Sequence, residues 1–483
     1  MEIMRSRKRR DALKIINDTS TIVMWLGLLF LVSAVTSLIF SEDIWPFYIL
    51  YGALISGSAF IINKLTKNEN ETFMRHGIIT AAVAWIVVAI VCGLPFYGLL
   101  GMNPLDSVYE SMSALTTTGM SLIQYPENVY KSLLFFRTLE AWIGGIGITT
   151  VALYGLLSSK SASSLILGEG HEKVRPNIVN TLKEIVGIYS LWTLLGIIAL
   201  IALGLTVFDS TNYVMNAIST TGNSIYSESL AHYQITNPEN FWFINAVLAV
   251  MMLVGAIGFV VHYRFFKNFD FNAYLEDYET GSMIAILLAG ILIMGAFLYI
   301  KGNPGDIGIF AFEAIDGMTC GGFQMHPNVF QGVSDFILAT LTFLALVGGS
   351  QGSAAGGLKV DRVVILLKAT YWKIREHLSP KGTVITKRVG NEIIDNNKIS
   401  EVALFSLMYI ITIVIVSMFL VAYGHSAMDS LFTVTMVQAN AGMSPINPWL
   451  LETPVKAVLI LVMWLGRLEF WPVLALFAYL LKK

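Results

Sequence analysis

Long apolar runs alternate with short polar connections along almost the whole chain. Ten runs stand out, at about residues 20–40, 46–63, 77–100, 130–157, 184–207, 240–263, 281–300, 334–367, 398–422 and 453–481. Each is long enough to cross a hydrocarbon core of about 30 Å. Four shorter semi-apolar stretches, 104–116, 210–219, 307–318 and 427–438, lie between paired runs and are too short to cross. The pattern predicts an all-α integral membrane protein: two leading helices, then four helix–pore helix–filter–helix repeats around a pseudo-fourfold central pore. The expected units are 1–76 for the leading pair, then repeats at 77–180, 181–277, 278–390 and 391–483. The basic start is followed by an apolar run too long for a cleavable signal and without a small-residue cleavage site, so it reads as the first span.

Each short stretch runs into a polar segment that ends near a glycine. The four are Thr116-Thr117-Thr118-Gly119-Met120-Ser121, Ser219-Thr220-Thr221-Gly222-Asn223-Ser224, Thr319-Cys320-Gly321-Gly322-Phe323-Gln324 and Ala439-Asn440-Ala441-Gly442-Met443-Ser444. Irregular backbone at membrane depth is tolerated where it is buried in protein or lines a watery path. Four extended strips around one axis can replace the water shell of a bare cation with backbone carbonyls, and glycine reaches the required conformations at little cost. One such segment alone reads as a turn between two helices more readily than as a filter. Four in register predict an ion filter made of Thr117, Thr118 and Gly119; Thr220, Thr221 and Gly222; Cys320, Gly321 and Gly322; and Asn440, Ala441 and Gly442. The preceding short helices would aim their negative ends at the ion. Asp106, Glu110, Asp209, Asp306, Asp316 and Asp429 are candidates for concentrating cations at the mouth, or ordinary solvated loop charges.

The helices returning from the strips echo one another. Gly144-Gly145, Gly255, Gly348-Gly349 and Gly466 sit at comparable offsets. In the third, Gly348, Gly349, Ser350, Gln351, Gly352, Ser353, Gly356 and Gly357 crowd the middle of an apolar run. Glycine costs about 1 kcal/mol per helical position, so a broken helix with an intramembrane loop is expected under the filter, where it could act as a gate; a simple kink is the alternative. A phosphate-loop reading fails because Leu358 follows where that motif needs lysine. Arg467, inside the last run, is costly there unless it faces a cavity or a partner. It reads as a positive barrier below the filter that steadies the loop, with a salt bridge to Glu469 or Glu140 as the alternative. Arg137 and Glu140 are expected nearer an interface, snorkelling or paired.

Composition agrees: 55% hydrophobic and 13% charged residues exclude an ordinary soluble domain. The charges are segregated. Arg5, Arg7, Lys8, Arg9 and Arg10, then Lys64, Lys67 and Arg75, Lys160, Lys173, Arg175 and Lys183, Arg264 and Lys267, Lys373, Arg375, Lys381, Lys387 and Arg388, and Lys482 and Lys483 fall on one side of the layout. By the positive-inside rule that side is cytoplasmic, with both termini, and the glycine segments open from outside. Cys92 and Cys320 lie in apolar or pore-like sequence and read as two buried thiols. The seven histidines are scattered without metal-ligand spacing, and no Ser/His/Asp grouping is visible, so no catalysis is expected.

Taken together, these residues resemble the Trk/Ktr/HKT potassium-transporter superfamily over essentially the whole chain. The strongest stretches are Arg137–Gly147, Gly352–Val360 and Gly466–Phe470. The two leading helices make the chain most similar to the Trk potassium-uptake membrane subunits. The resemblance implies a single-file potassium pathway in a cell inner (plasma) membrane, with potassium as the transported ion and no organic cofactor. It further implies a homodimer, a gate formed by the loop and Arg467, and a cytosolic nucleotide-binding regulatory ring of the TrkA type. In that superfamily a serine at the first filter glycine goes with sodium permeation; Gly119 therefore points to potassium. Two departures remain. The tandem Gly321-Gly322 leaves the third register open by one, and the fourth strip has no threonine before its glycine. A sodium- or proton-coupled cation transporter is the alternative reading.

Overall fold

A computed structural model describes residues 2–67, 74–147, 178–327, 329–380, 383, 385–390 and 392–481. The leading pair is α1 (Glu2–Ile39) and α2 (Trp45–Thr66). The first unit follows as α3 (Met74–Cys92), a short α4 (Leu94–Leu100), α5 (Pro104–Leu115) and α6 (Lys131–Ile146). The second has α7 (Ile178–Ala202), α8 (Val207–Ile218), α9 (Phe241–Ala256) and α10 (Phe259–Asn268). The third has α11 (Tyr278–Ile300), α12 (Ile307–Thr319), α13 (Asp335–Val347) and α14 (Val360–Leu378). The fourth has α15 (Asn396–Ala422), α16 (Ala427–Gln438), α17 (Thr453–Arg467) and α18 (Trp471–Leu481).

Among the described residues six helices are long and apolar enough to cross a membrane, and two bent pairs bring the number to eight. The chain is a multi-pass membrane protein. The expected spans 240–263 and 453–481 are not straight: α9 and α10 meet at 102°, and α17 and α18 at 113°. The second bend has a local cause, since Glu469 and Phe470 both adopt positive φ (54° and 64°). At the first bend, the freed Phe259 amide donates to Gly352 O at 3.1 Å. The expected run 334–367 is broken after Val347. Of the expected span 130–157, residues 148–157 lie outside the described residues, as do Lys160, Lys173, Arg175, Lys381, Lys482 and Lys483 of the charge map.

Three of the short helices start in the same way. Asn103, Thr206 and Ser426 each accept a hydrogen bond from the amide three residues on, that of Asp106, Asp209 and Asp429. Each cap satisfies an amide the helix leaves orphaned, and each aspartate sits in the first turn, where the helix dipole favours it. The fourth, α12, enters instead from a 3₁₀ turn at Pro304–Asp306. α14 ends in a polar stretch, with Arg375 and His377 in its last turn. A two-residue hairpin (Arg388–Val389 with Glu392–Ile393) packs there in a small core of Ile365, Trp372, Val389, Ile394 and Val402.

Candidate ion-conduction site

The four glycine segments share one backbone turn. The residue two before each final glycine is left-handed: Thr117 (φ 58°), Thr220 (54°), Cys320 (59°) and Asn440 (56°).

 Of the final glycines, Gly119 has φ 75°, Gly222 74° and Gly322 80°, and Gly442 lacks the positive φ of the other three. This settles the third register: Cys320 aligns with Thr117 and Thr220, so Gly322 aligns with Gly119. It also explains the fourth strip, because asparagine tolerates the left-handed region better than most side chains.

The amides of all four strips turn back onto their own short helices. Those of Thr118, Thr221, Gly321 and Ala441 donate to Ser113 O, Asn216 O, Asp316 O and Met436 O, at 2.8, 2.9, 2.8 and 2.8 Å. With the amides so used, the carbonyls stand free. Among the described residues, no carbonyl of 117–119, 220–222, 320–322 or 440–442 accepts a hydrogen bond. These carbonyls also meet one another. A Cβ on Gly119 would overlap Thr221 O, and one on Gly222 would overlap Gly321 O. A Cβ on Gly322 would lie 2.8 Å from Gly442 N, and one on Gly442 2.7 Å from Thr118 O. Strip one touches two, two touches three, three touches four and four touches one: the strips close a ring. Buried carbonyls without donors are costly, and a ring of them can coordinate a dehydrated cation.

Hydroxyls brace the first two strips from behind. Thr116 Oγ1 lies 2.9 Å from Thr118 Oγ1, and Ser219 Oγ 2.7 Å from Thr221 Oγ1. Gly321 and Ala441 have no hydroxyl to offer. In the fourth strip Asn440 Nδ2 instead donates across to Thr118 Oγ1 (3.2 Å) and to Met463 O (3.0 Å). The return helices press against the ends of the short helices at glycine. A Cβ on Gly144, Gly255 or Gly466 would overlap Leu115 O, Ile218 O or Gln438 O, each four residues before a strip glycine.

The third unit departs. From Gly348 to Lys359 the chain is a loop between α13 and α14, with positive φ at Gly348, Gly352, Gly357 and Lys359. It is seated by backbone bonds: Ser350 N to Ala256 O and Ala354 N to Gly255 O, both 2.9 Å, and Leu358 N to Leu346 O, 2.9 Å. Gln351 N donates to Glu279 Oε2 at 2.7 Å. A Cβ on Gly356 would overlap Ala439 O, which places the loop directly against the fourth strip.

Arg467 joins ring, loop and return helix. Its guanidinium donates to Thr117 Oγ1 (3.3 Å), Ala354 O (2.8 Å), Gly145 O (3.1 Å) and Gly144 O. Glu469 pairs with Arg362, and Glu140 Oε1 accepts from Ser111 Oγ at 2.7 Å. Lys359, also buried, donates to Ala355 O, a role that its place at the end of the glycine-rich stretch does not signal.

Other charges fall differently from expectation. Glu110 and Asp316 are 1% and 0% exposed, so they are neither mouth charges nor solvated ones. Asp316 Oδ1 accepts from Phe323 N (3.1 Å). Asp209, also buried, accepts from Tyr233 Oη at 3.0 Å. Of the two readings of Arg137, pairing is the one seen: it is 1% exposed, away from an interface, and pairs with Glu110 at 3.2 Å. Asp106, nearer the surface, pairs with Lys456 at 3.0 Å.

A multi-helix membrane fold around a ring of unpartnered carbonyls is the architecture of a cation transport protein. The family model described as TrkH, cation transport protein, matches residues 47–297 and 309–483, and the chain belongs to that family. An uncharacterized cation transporter of Methanocaldococcus jannaschii is 31% identical, over 98% of this chain and 97% of its own. The Trk system potassium uptake protein TrkH of Halomonas elongata is 25% identical, over 94% of this chain and 97% of its own. The fold matches the crystal structure of the potassium transporter TrkH from Vibrio parahaemolyticus with a TM-score of 0.85, at 24% identity, covering 96% of this chain and 97% of that one.

Proposed function

We propose that this chain is the ion-conducting membrane subunit of a potassium-uptake system. The observation that carries the reading is the closed ring of strip carbonyls that accept no hydrogen bond. A potassium ion entering from outside exchanges its water for the carbonyls of Thr117–Gly119, Thr220–Gly222, Cys320–Gly322 and Asn440–Gly442. Glycine rather than serine at position 119 fits potassium. Potassium uptake named for the Halomonas relative supports the same ion.

Below the ring, the loop 348–357 and Arg467 act as the gate. The loop lies across the path while Arg467 holds Ala354 O, and its guanidinium is a positive barrier to a cation. Moving the loop requires breaking that contact together with the bonds to Gly255, Ala256 and Glu279. The four repeats take the boundaries 77–180, 181–277, 278–390 and 391–483. The working unit is a homodimer in the plasma membrane, termini inside, controlled by a cytosolic nucleotide-binding ring.

Ion flux into liposomes holding the purified chain tests this. Uptake of K⁺ and Rb⁺ well above Na⁺ is expected. Equal permeation of Na⁺ and K⁺ would contradict a selective filter.

A further inference from the structure

Beyond each glycine the strip continues to an outer rim: Ser121, Ser224, Gln324 and Ser444, two residues on. Each rim is tied back to its own short helix from one position, the ninth residue before the glycine. In the first unit Glu110 Oε1 accepts from Ser121 Oγ and Oε2 from Leu122 N, both at 2.7 Å. In the second, Tyr213 Oη lies 3.0 Å from Ser224 Oγ. In the third, Glu313 Oε1 accepts from Met325 N at 2.8 Å. In the fourth, Thr433 Oγ1 lies 2.9 Å from Ser444 Oγ. All four clamp residues are 1% exposed or less.

The clamped rims are turned in the same way. Ser121 Oγ accepts from Ile123 N, Ser224 Oγ from Tyr226 N and Ser444 Oγ from Ile446 N, at 3.1, 3.1 and 3.0 Å. Neighbouring rims are also linked. Arg137 donates to Ser121 Oγ (3.0 Å) and Ser224 O (2.7 Å), and Ser229 Oγ donates to Gln324 O (2.6 Å). Three kinds of side chain, glutamate, tyrosine and threonine, thus do one task at one position in four units, which packing alone does not require.

We infer that Glu110, Tyr213, Glu313 and Thr433 are positioning residues that set ion specificity. They do not touch the ion. They fix the outer end of each strip so that the carbonyls cannot close onto a smaller cation. The inference rests on the proposed filter.

The test uses the full chain in liposomes, with Tyr213→Phe and Thr433→Val, which remove a hydroxyl at nearly constant volume, and measures the Na⁺/K⁺ permeability ratio. A rise on the order of five-fold is expected in each, the population factor of one lost hydrogen bond. A wild-type ratio in both variants, or equal loss of Na⁺ and K⁺ flux, would overturn the inference and leave the clamps as scaffold. Failure of the filter reading itself would show separately, as a wild-type chain that does not discriminate K⁺ from Na⁺.

Discussion

Replacing Arg467 by alanine perturbs the proposed gate at its most connected residue. Of the oxygens its guanidinium bonds, those of Thr117, Gly144 and Gly145 belong to the first unit, and that of Ala354 belongs to the loop. The loop contact is the one that differs between a seated and a displaced loop. A hydrogen bond from a charged donor contributes about 1.5–3 kcal/mol. Its loss shifts the seated-to-displaced equilibrium by about 10- to 100-fold, and the positive barrier goes with it. Basal K⁺ efflux from liposomes carrying the purified chain alone should rise by up to that factor. Arg467→Lys should fall between, since one ammonium cannot span from Ala354 O to the Gly144 and Gly145 carbonyls. Thermal unfolding of the same preparations separates gating from damage. Unchanged or lower basal efflux from a folded Arg467→Ala protein would refute the reasoning.

Three further outcomes are expected. Gly119→Ser places a side chain at φ 75° against the Thr221 carbonyl and should raise Na⁺ permeation relative to K⁺; an unchanged ratio in flux assays would remove Gly119 from the filter. Arg137→Met leaves Glu110 buried without its cation, a loss of about 3–5 kcal/mol, read as a lowered unfolding temperature in detergent; an unaltered transition would contradict the pairing. Gly466→Ala forces a methyl into Gln438 O and should destabilise the fold by about 1–3 kcal/mol, measured in the same way.

Much of this arrangement was legible in the sequence because it is repeated. Four glycines before apolar runs are visible without coordinates, and so is the glycine-rich break at 348–357. The third register was not legible, because a tandem glycine offers two alignments and only the left-handed Cys320 chooses between them. Asn440 looked like a defect for want of threonine, yet its amide spans to the first strip in a way a threonine hydroxyl does not. The acids were misread for a physical reason. Glu110 and Asp316 resemble mouth charges when only chain distance is known, but helical phase turns them inward behind the strips. The clamp position escaped notice because glutamate, tyrosine and threonine share no sequence signature, only a reach to one rim. The helix bends escaped it because a hydropathy run does not record direction.

In the proposed filter the strip carbonyls hold a dehydrated potassium-like ion. Anomalous diffraction from crystals grown in Rb⁺ addresses it most directly. Rb⁺ density is expected on the axis among the carbonyls of Thr118, Thr221, Gly321 and Ala441, displaced by excess K⁺ but not by Na⁺. Absence of density within the ring, or equal displacement by Na⁺, would contradict it.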